Sequence, residues 1–449
     1  MATTTFTSGT VITSDWLNDV DRVTYQDSKS ILSFAGVTGV AGEDQTTGIA
    51  TARAYCEANA PMTLKIPKGT YEATDFGNWA ITGLTLDCDA GSKFKLTGSN
   101  DTVLYLKAFP NDLSSDPFIS QFNIRGELVV EGNSNTIYGV RAYGLRACRW
   151  DRVRVINLSS TVGCAFSIDA CSVNNFGSLI CSADTDSMTS VPSLGLRITT
   201  GTREGLNLGR STNNVFEAVD FGGVETGIHI VSGDENVFIA GTAEGTTPSP
   251  MDLALTIDAG NRYNLFFGTS FESVTGTYAV VDAGDMNGFI GCYAHDGHII
   301  LQGKSSWIKG GLWKSITVDN SATSCEVKHL KFNYTAGGSF TDNGTNTDWK
   351  ALWNEQTSAY YFPLKARTSI VSGTTSSPTA WTNTTGGWVE LICQSGTIST
   401  PSTRSRDGTP FDIPRVAPFL FPMAPGEVVS ITHGGSLDLS YLPMNGLPG

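Results

Sequence analysis

The chain has 449 residues, of which 49 are Gly and only 16% are charged, and its 43 acidic against 29 basic residues give a formal net charge of −14. That length admits two or three domains with a large core, while the acidic balance excludes nucleic acid as a partner, because a negative surface repels a phosphate backbone. Abundant Gly with short runs of Val, Ile, Thr, Phe and Tyr, and no apolar run of about 18 residues, reads as an all-β protein with tight turns and no membrane span.

In chain order, the polar opening Met1 to Phe6 lacks the charged-then-apolar pattern of a signal peptide, so synthesis in a cytosol is expected, with the protein staying soluble or leaving by cell lysis. Thr13 and Ser14 offer N-caps, and Trp16, Leu17, Val20 and Val23 fall on one helical face. This predicts a short amphipathic helix of about three turns, too short to be stable without a surface to dock on. The nine Cys form an odd set with no CxxC pair, which reads as small buried hydrophobes in a reducing compartment.

The string Phe6-Thr-Ser-Gly-Thr-Val-Ile-Thr-Ser-Asp-Trp-Leu-Asn-Asp-Val20 resembles the N-terminal virion anchor of bacteriophage tailspike and tail-fibre proteins. Leu64-Lys-Ile-Pro-Lys-Gly-Thr-Tyr71 is similar to the strand that opens their pectate-lyase-like domain, with Thr51 to Asn59 as the preceding helix. The acidic turn of that family is degraded here: Asp44 remains, without the usual Asp-Asp pair. The resemblance implies a right-handed parallel β-helix, a homotrimer, a place in the virion tail after assembly in the host cytoplasm, contacts to other tail proteins through Trp16, Leu17 and Val20, and a host surface glycan as target.

From Ile81 to about Phe332 short strands alternate with Gly, Asn and Asp, for example Leu84–Leu86, Phe94–Leu96, Leu128–Val130 and Val153–Ile156. Within this stretch one phrase recurs: Asn214-Val-Phe216, Asn236-Val-Phe238, Asn264-Leu-Phe266, Asn287-Gly-Phe289 and a worn Ser306-Trp-Ile308. The offsets of 22, 28, 23 and 19 residues are those of a solenoid with one rung per repeat. The Asn reads either as a turn residue in left-handed backbone or as a buried Asn stack. Ser182–Pro192 and Glu244–Asp252 read as loops leaving the solenoid, and Ser339–Trp349 as a linker. The expected domains are an anchor over 1–33, a β-helix over 34–336, a linker over 337–364 and a β-sandwich-like domain over 365–449, for which the resemblance implies trimerisation or receptor contact.

Counting from each Asn as zero, position 8 is Gly222, Glu244, Glu272, His295 and Lys314, and position 7 is Phe221, Ala243, Phe271, Ala294 and Trp313. Rungs stack about 4.8 Å apart, which sets Glu244 beside Glu272 as a candidate catalytic acid pair, with Asp220 and Asp296 close by in sequence. Paired carboxylates about 5 Å apart suit a retaining glycosidase and about 6.5–9.5 Å an inverting one. His295 and Lys314 continue the column, and Phe271 and Trp313 are candidates for stacking on sugar. The same column also reads as a self-satisfied charge ladder, and the aromatics as core. Asp184, Asp186, Arg203 and Glu204 form a second candidate group beside the predicted loops, in which Asp184-Thr-Asp186 reads as an acid pair, a weak cation site or a solvated loop. No phosphate loop, zinc helix or nucleophile elbow is present, and neither a metal nor a cofactor is expected. Three functions stay open: a glycan depolymerase, by hydrolysis or by β-elimination with Lys314, His295 or Arg203 at the uronate; a non-enzymatic adhesin; and a structural virion appendage.

Overall fold

A computed structural model describes residues 28–108, 119–183, 188–203, 206–246, 251–272, 274–332, 338–350, 352–354, 359–360, 368–374, 377–384, 389–406, 409–412, 419–424 and 426–443. The chain is a parallel β-helix that divides into two compact units, Met1–Ile299 with Gly310–Trp313, and Ile300–Lys309 with Lys314–Gly449. The anchor residues Trp16, Leu17 and Val20 lie outside the described residues.

In the first unit the chain enters the solenoid earlier than the expected boundary at residue 33. Strand Ser28–Ser30 already pairs in parallel with Met62–Ile66, Lys29 opposite Leu64. Helix α1 (Thr46–Asn59) follows and buries Ile49, Ala52 and Cys56. Its entry turn is held by the buried Gln45, whose Oε1 accepts the N–H groups of Thr38 (3.0 Å) and Gly39 (2.9 Å) while Nε2 donates to Thr70 O (3.0 Å). Asp44 Oδ1 accepts Thr46 N–H at 3.1 Å, so this single carboxylate holds the turn into α1. The Pro-Lys-Gly-x-Tyr string has a steric reason. A Cβ on Gly69 would stand 2.6 Å from Gly39 O, and Tyr71 is fully buried with its hydroxyl donating to Pro67 O at 2.8 Å.

Each later rung of this unit carries three strand segments. The Asn-x-Phe strands Val237–Ile239, Leu265–Phe267 and Gly288–Ile290 stack in register, Phe238 opposite Phe266 opposite Phe289. A second stack holds Thr242–Glu244 and Ser270–Glu272. A third holds Tyr138–Tyr143, Cys164–Asp169, Leu194–Thr199, Thr226–Ile230, Leu253–Ile257 and Val280–Asp282.

The recurrent Asn is a buried ladder. Nδ2 of Asn174, Asn214, Asn236 and Asn264 donates to Oδ1 of the next Asn at 2.9–3.1 Å, ending at Asn287, which donates to Asp282 Oδ1 at 2.8 Å. Each of those acceptor oxygens also takes the preceding Asn's backbone N–H at 2.9–3.2 Å. The left-handed residue is the one before the Asn: Val173, Asn213, Glu235, Tyr263 and Met286 all have φ between 56° and 58°. Of the two readings of the motif, the stack is therefore the Asn and the strained turn is its neighbour. A non-Gly residue in that conformation costs about 1–3 kcal/mol and persists only where its surroundings over-determine it; the two-ended amide bonds on its C-terminal side do so. Two residues further on, Phe176, Phe216, Phe238, Phe266 and Phe289 stack through the core with centroids 4.6–5.2 Å apart.

In the second unit the parallel ladder does not stop at residue 336. Trp307–Lys309, Glu326–Lys328 and Asp348–Lys350 stack in register, and Ile316–Val318 lies against Phe340–Asp342. The segment 338–354 is thus rungs rather than the expected linker, because its Thr, Asn and Asp supply turns: Asp342 Oδ1 accepts Gly344 N–H (3.0 Å) and Thr347 Oγ1–H (2.9 Å). Outward on these rungs, Lys309, Glu326, Lys328 and Asp348 form a charge ladder with N···O distances of 2.7–3.3 Å. The C-terminal residues form an antiparallel sheet in which Val389–Arg406 and Val428–Pro443 are the long central strands. Its core is Val389, Leu391, Cys393, Met423, Val429, Ile431, Leu437 and Leu439.

All nine cysteines are free and buried. Burial pushes the Cys164 and Cys292 thiols up to about 12 and that of Cys148 up to about 11. Since the thiolate is the reactive form, native protein at pH 8 is expected to react with a thiol reagent at essentially none of its cysteines within minutes, and at all nine after unfolding in guanidinium. Rapid labelling of several thiols in the native state would contradict this core.

Candidate functional site

Alternation along the second stack decides which side chains reach solvent. Position 7 points inward: Phe221, Ala243, Phe271, Ala294 and Trp313 are all 0% exposed. Phe271 and Trp313 lie with ring centroids 6.5 Å apart in the core, which removes them as sugar-stacking residues. Truncating Trp313 to Ala is expected to cost about 3–5 kcal/mol of stability with no selective change in glycan affinity, measured by denaturant unfolding beside a binding isotherm.

Asp220, Thr242 and Ser270 at position 6 and Glu244 and Glu272 at position 8 are half-exposed on the outer side. Gly222 is the register partner of Glu244, and Glu244 is the register partner of Glu272, so the two carboxylate-bearing residues occupy adjacent rungs. Both are half-buried. The register Ser270↔Tyr293, carried two residues on, makes His295 the next position in the column. Asp220 sits at position 6 of the preceding rung, opposite Thr242, whose hydroxyl is 3.5 Å from its Oδ1. Asp296 follows in the strand Tyr293–Leu301 and is half-buried. Lys314 lies in the strand Leu312–Val318 and belongs to the second compact unit.

At Gly222 a Cβ would stand 2.4 Å from Ser182 Oγ, so the acid column opens on its low side to a position without a side chain. Gly223 N–H donates to Glu244 O at 3.0 Å, and Gly223 lines a cleft of about 370 Å³ with Glu225, Ser160, Thr189, Ser190 and Ser193. The cleft wall is fastened to the solenoid: Thr189 N–H donates to Asn157 Oδ1 (2.8 Å), Ser190 Oγ donates to Leu158 O, and Ser193 Oγ donates to Gly163 O (3.0 Å). Sequence reasoning treated this stretch as a loop and missed its hydroxyls. The run Thr189-Ser-Val-Pro-Ser193 was the available signal.

Of the second candidate group, Asp184, Asp186 and Glu204 lie outside the described residues. Arg203 ends the strand Gly201–Arg203, which pairs antiparallel with Leu206–Gly209 as a hairpin off the rung. Among the described residues no helix is long and apolar enough to cross a membrane.

Two carboxylates on neighbouring rungs are the groups that acid–base chemistry on a glycosidic bond requires; neither lines the cleft, which meets the column only through the backbone bond from Gly223 to Glu244. No family model matches the chain, and no curated protein matches it in sequence. Solved structures do. ORF18 of Geobacillus virus E2 aligns with a TM-score of 0.56 at 13% identity, covering 96% of this chain and 80% of that one. The gp42 tailspike of Acinetobacter phage vb_AbaP_AS12 aligns at 0.48 and 9% identity, over 94% of this chain and 82% of that one. The gp49 tailspike of the Acinetobacter baumannii bacteriophage Fri1, described as a capsular polysaccharide depolymerase, aligns at 0.44 and 9%, over 94% and 87%. At these identities the likeness is one of fold.

Proposed function

We propose that this chain is a bacteriophage tailspike that recognises a host surface polysaccharide and cleaves it by hydrolysis, with Glu244 and Glu272 as the acid pair. The observation that carries the reading is their register pairing on adjacent rungs. The anchor-like string Phe6–Val20 and a fold shared with a viral protein support the virion role. One carboxylic acid protonates the departing glycosidic oxygen while the other carboxylate either bonds to the anomeric carbon, to be displaced by water, or takes a proton from the water that attacks that carbon. The serine and threonine hydroxyls of the cleft orient a neutral stretch of the glycan. Host glycan binding, trimer assembly and attachment to other tail proteins through Trp16, Leu17 and Val20 belong to the same reading. Purified protein spotted on host lawns should give a translucent halo and release new reducing ends from isolated capsule or lipopolysaccharide. Tight binding with no reducing ends would leave the adhesin reading in its place.

A further inference from the structure

The third strand stack carries an outward row of polar residues that neither the acid pair nor the cleft uses. Register sets Tyr105, Arg141, Ser167, Arg197 and His229 on five successive rungs. At about 4.8 Å per step the row runs along the solenoid for roughly 19 Å.

Its centre is built rather than incidental. Ser167 is 0% exposed and Asp169 2% exposed, and Ser167 Oγ donates to Asp169 Oδ1 at 2.6 Å. Arg141 Nε donates to Asp169 Oδ2 at 3.1 Å. Arg197 donates from Nε and Nη2 to Ser167 Oγ (3.2 and 3.0 Å) and from Nη2 to the Tyr138 hydroxyl (3.2 Å). Both guanidinium groups lie over the Tyr138 ring, at 4.8 Å for Arg141 and 5.4 Å for Arg197. Asp169 is the one carboxylate in ion-pair contact with either Arg among the described residues. Two fixed positive charges therefore share one negative charge. The side chain of Arg141 is 30% exposed and Arg197 is half-buried, so both reach solvent. Arg197 is held entirely by neutral acceptors, and its Nη1, like both terminal nitrogens of Arg141, has no acceptor among the described residues. The next rung offers His229, already paired with Asp258 at 3.1 Å.

We infer that Arg141 and Arg197 form a carboxylate-binding subsite that selects an acidic sugar in the glycan. A planar fork of donors matches a carboxylate in two-point fashion. Two such forks, pre-oriented on Tyr138 and on the buried Ser167–Asp169 pair, lose little entropy on binding. On a chain of net charge −14, two guanidinium groups held on one face offer a polyanionic glycan a point of approach, while the Asp258 carboxylate one rung on is engaged by His229. The inference rests on the glycan-binding reading above and adds the substrate class: a polysaccharide with a uronic or other carboxylated residue.

The test uses the full-length protein and oligosaccharides of hyaluronate, alginate and polygalacturonate, each beside its carboxyl-reduced neutral counterpart, with inorganic phosphate as a competing anion. Calorimetry or ligand-observed NMR should give at least tenfold tighter binding of one acidic form than of its reduced form. Raising NaCl should weaken it, and Arg197→Gln should abolish the difference. Arg197 is the residue to change, because removing Arg141 strands the buried Asp169. An Arg197→Lys variant with an unchanged unfolding midpoint should keep part of the preference, which separates recognition from a folding defect. Equal binding of acidic and reduced forms, no binding of any acidic form, or displacement by millimolar phosphate overturns the inference. Acidic-form binding without new reducing ends supports it while sinking the depolymerase reading. Cleavage of a neutral polysaccharide unaffected by Arg197→Gln does the reverse.

Discussion

Glu244→Gln and Glu272→Gln are each expected to lower glycan cleavage by about 10²–10⁴-fold, the usual contribution of a positioned acid or base, with glycan affinity within a few-fold of wild type. Gln keeps the shape of Glu and removes only its ability to carry a proton or a charge. Both positions face outward and are half-buried, so the folded yield should not change. The double variant should be little worse than the worse single one, because residues that act as a unit lose their effect together. Rungs about 4.8 Å apart are near the separation of a retaining pair. The anomeric configuration of the first-formed product, read by NMR before mutarotation, should therefore be retained. Undiminished activity in both single variants would remove the pair from the reaction, and an inverted product would require a more distant partner such as Asp220.

A large loss of stability, comparable to that of Trp313→Ala, is expected from Asn236→Ala. Asn236 is 0% exposed and bonds in both directions. It accepts Asn214 N–H (3.2 Å) and Nδ2–H (3.0 Å), and it donates to Asn264 Oδ1 (3.0 Å) and Ser211 O (3.1 Å). Alanine orphans buried groups on the rungs to either side, at about 1–3 kcal/mol each, for a total loss of about 3–5 kcal/mol. It also removes the bonds that hold Glu235 at φ 57°. Glu235→Gly is the control, since Gly adopts that backbone freely. It should leave stability unchanged or raise it by up to about 1 kcal/mol. Denaturant midpoints, or unfolding rates where unfolding is irreversible, compare the two. Equal losses in both variants would mean that the turn conformation, not the amide ladder, dominates.

The solenoid was legible because its period is written in residues that stack on themselves. Asn236, Asn264 and Asn287 recur at similar offsets, and so do Phe238, Phe266 and Phe289. The copy at Asn174-Asn-Phe176 went unread because 40 residues separate it from Asn214, enough to hide one rung behind its excursions. The acid column was legible for the same reason as the fold: Glu244 and Glu272 stand at the same distance from their Asn. Phe271 and Trp313 stayed open between sugar stacking and core because spacing places residues in a column but not on a side of the strand; their burial selects the core. The row Arg141, Ser167, Arg197 and His229 was illegible, since its steps of 26, 30 and 32 residues share no motif.

By itself the sequence determined the class of architecture, the rung phase and the pairing of Glu244 with Glu272, because each follows from a short-range pattern repeated at a near-constant period. Only the tertiary structure decided what faces solvent, where the rungs end past residue 336, and which distant charges meet. Facing depends on the curvature of each strand around a common core. The end of the ladder depends on polar side chains such as Asp342 closing turns that composition alone reads as linker. The meeting of Arg141, Asp169 and Arg197 depends on register across rungs of unequal length, which becomes defined only when the strands are stacked.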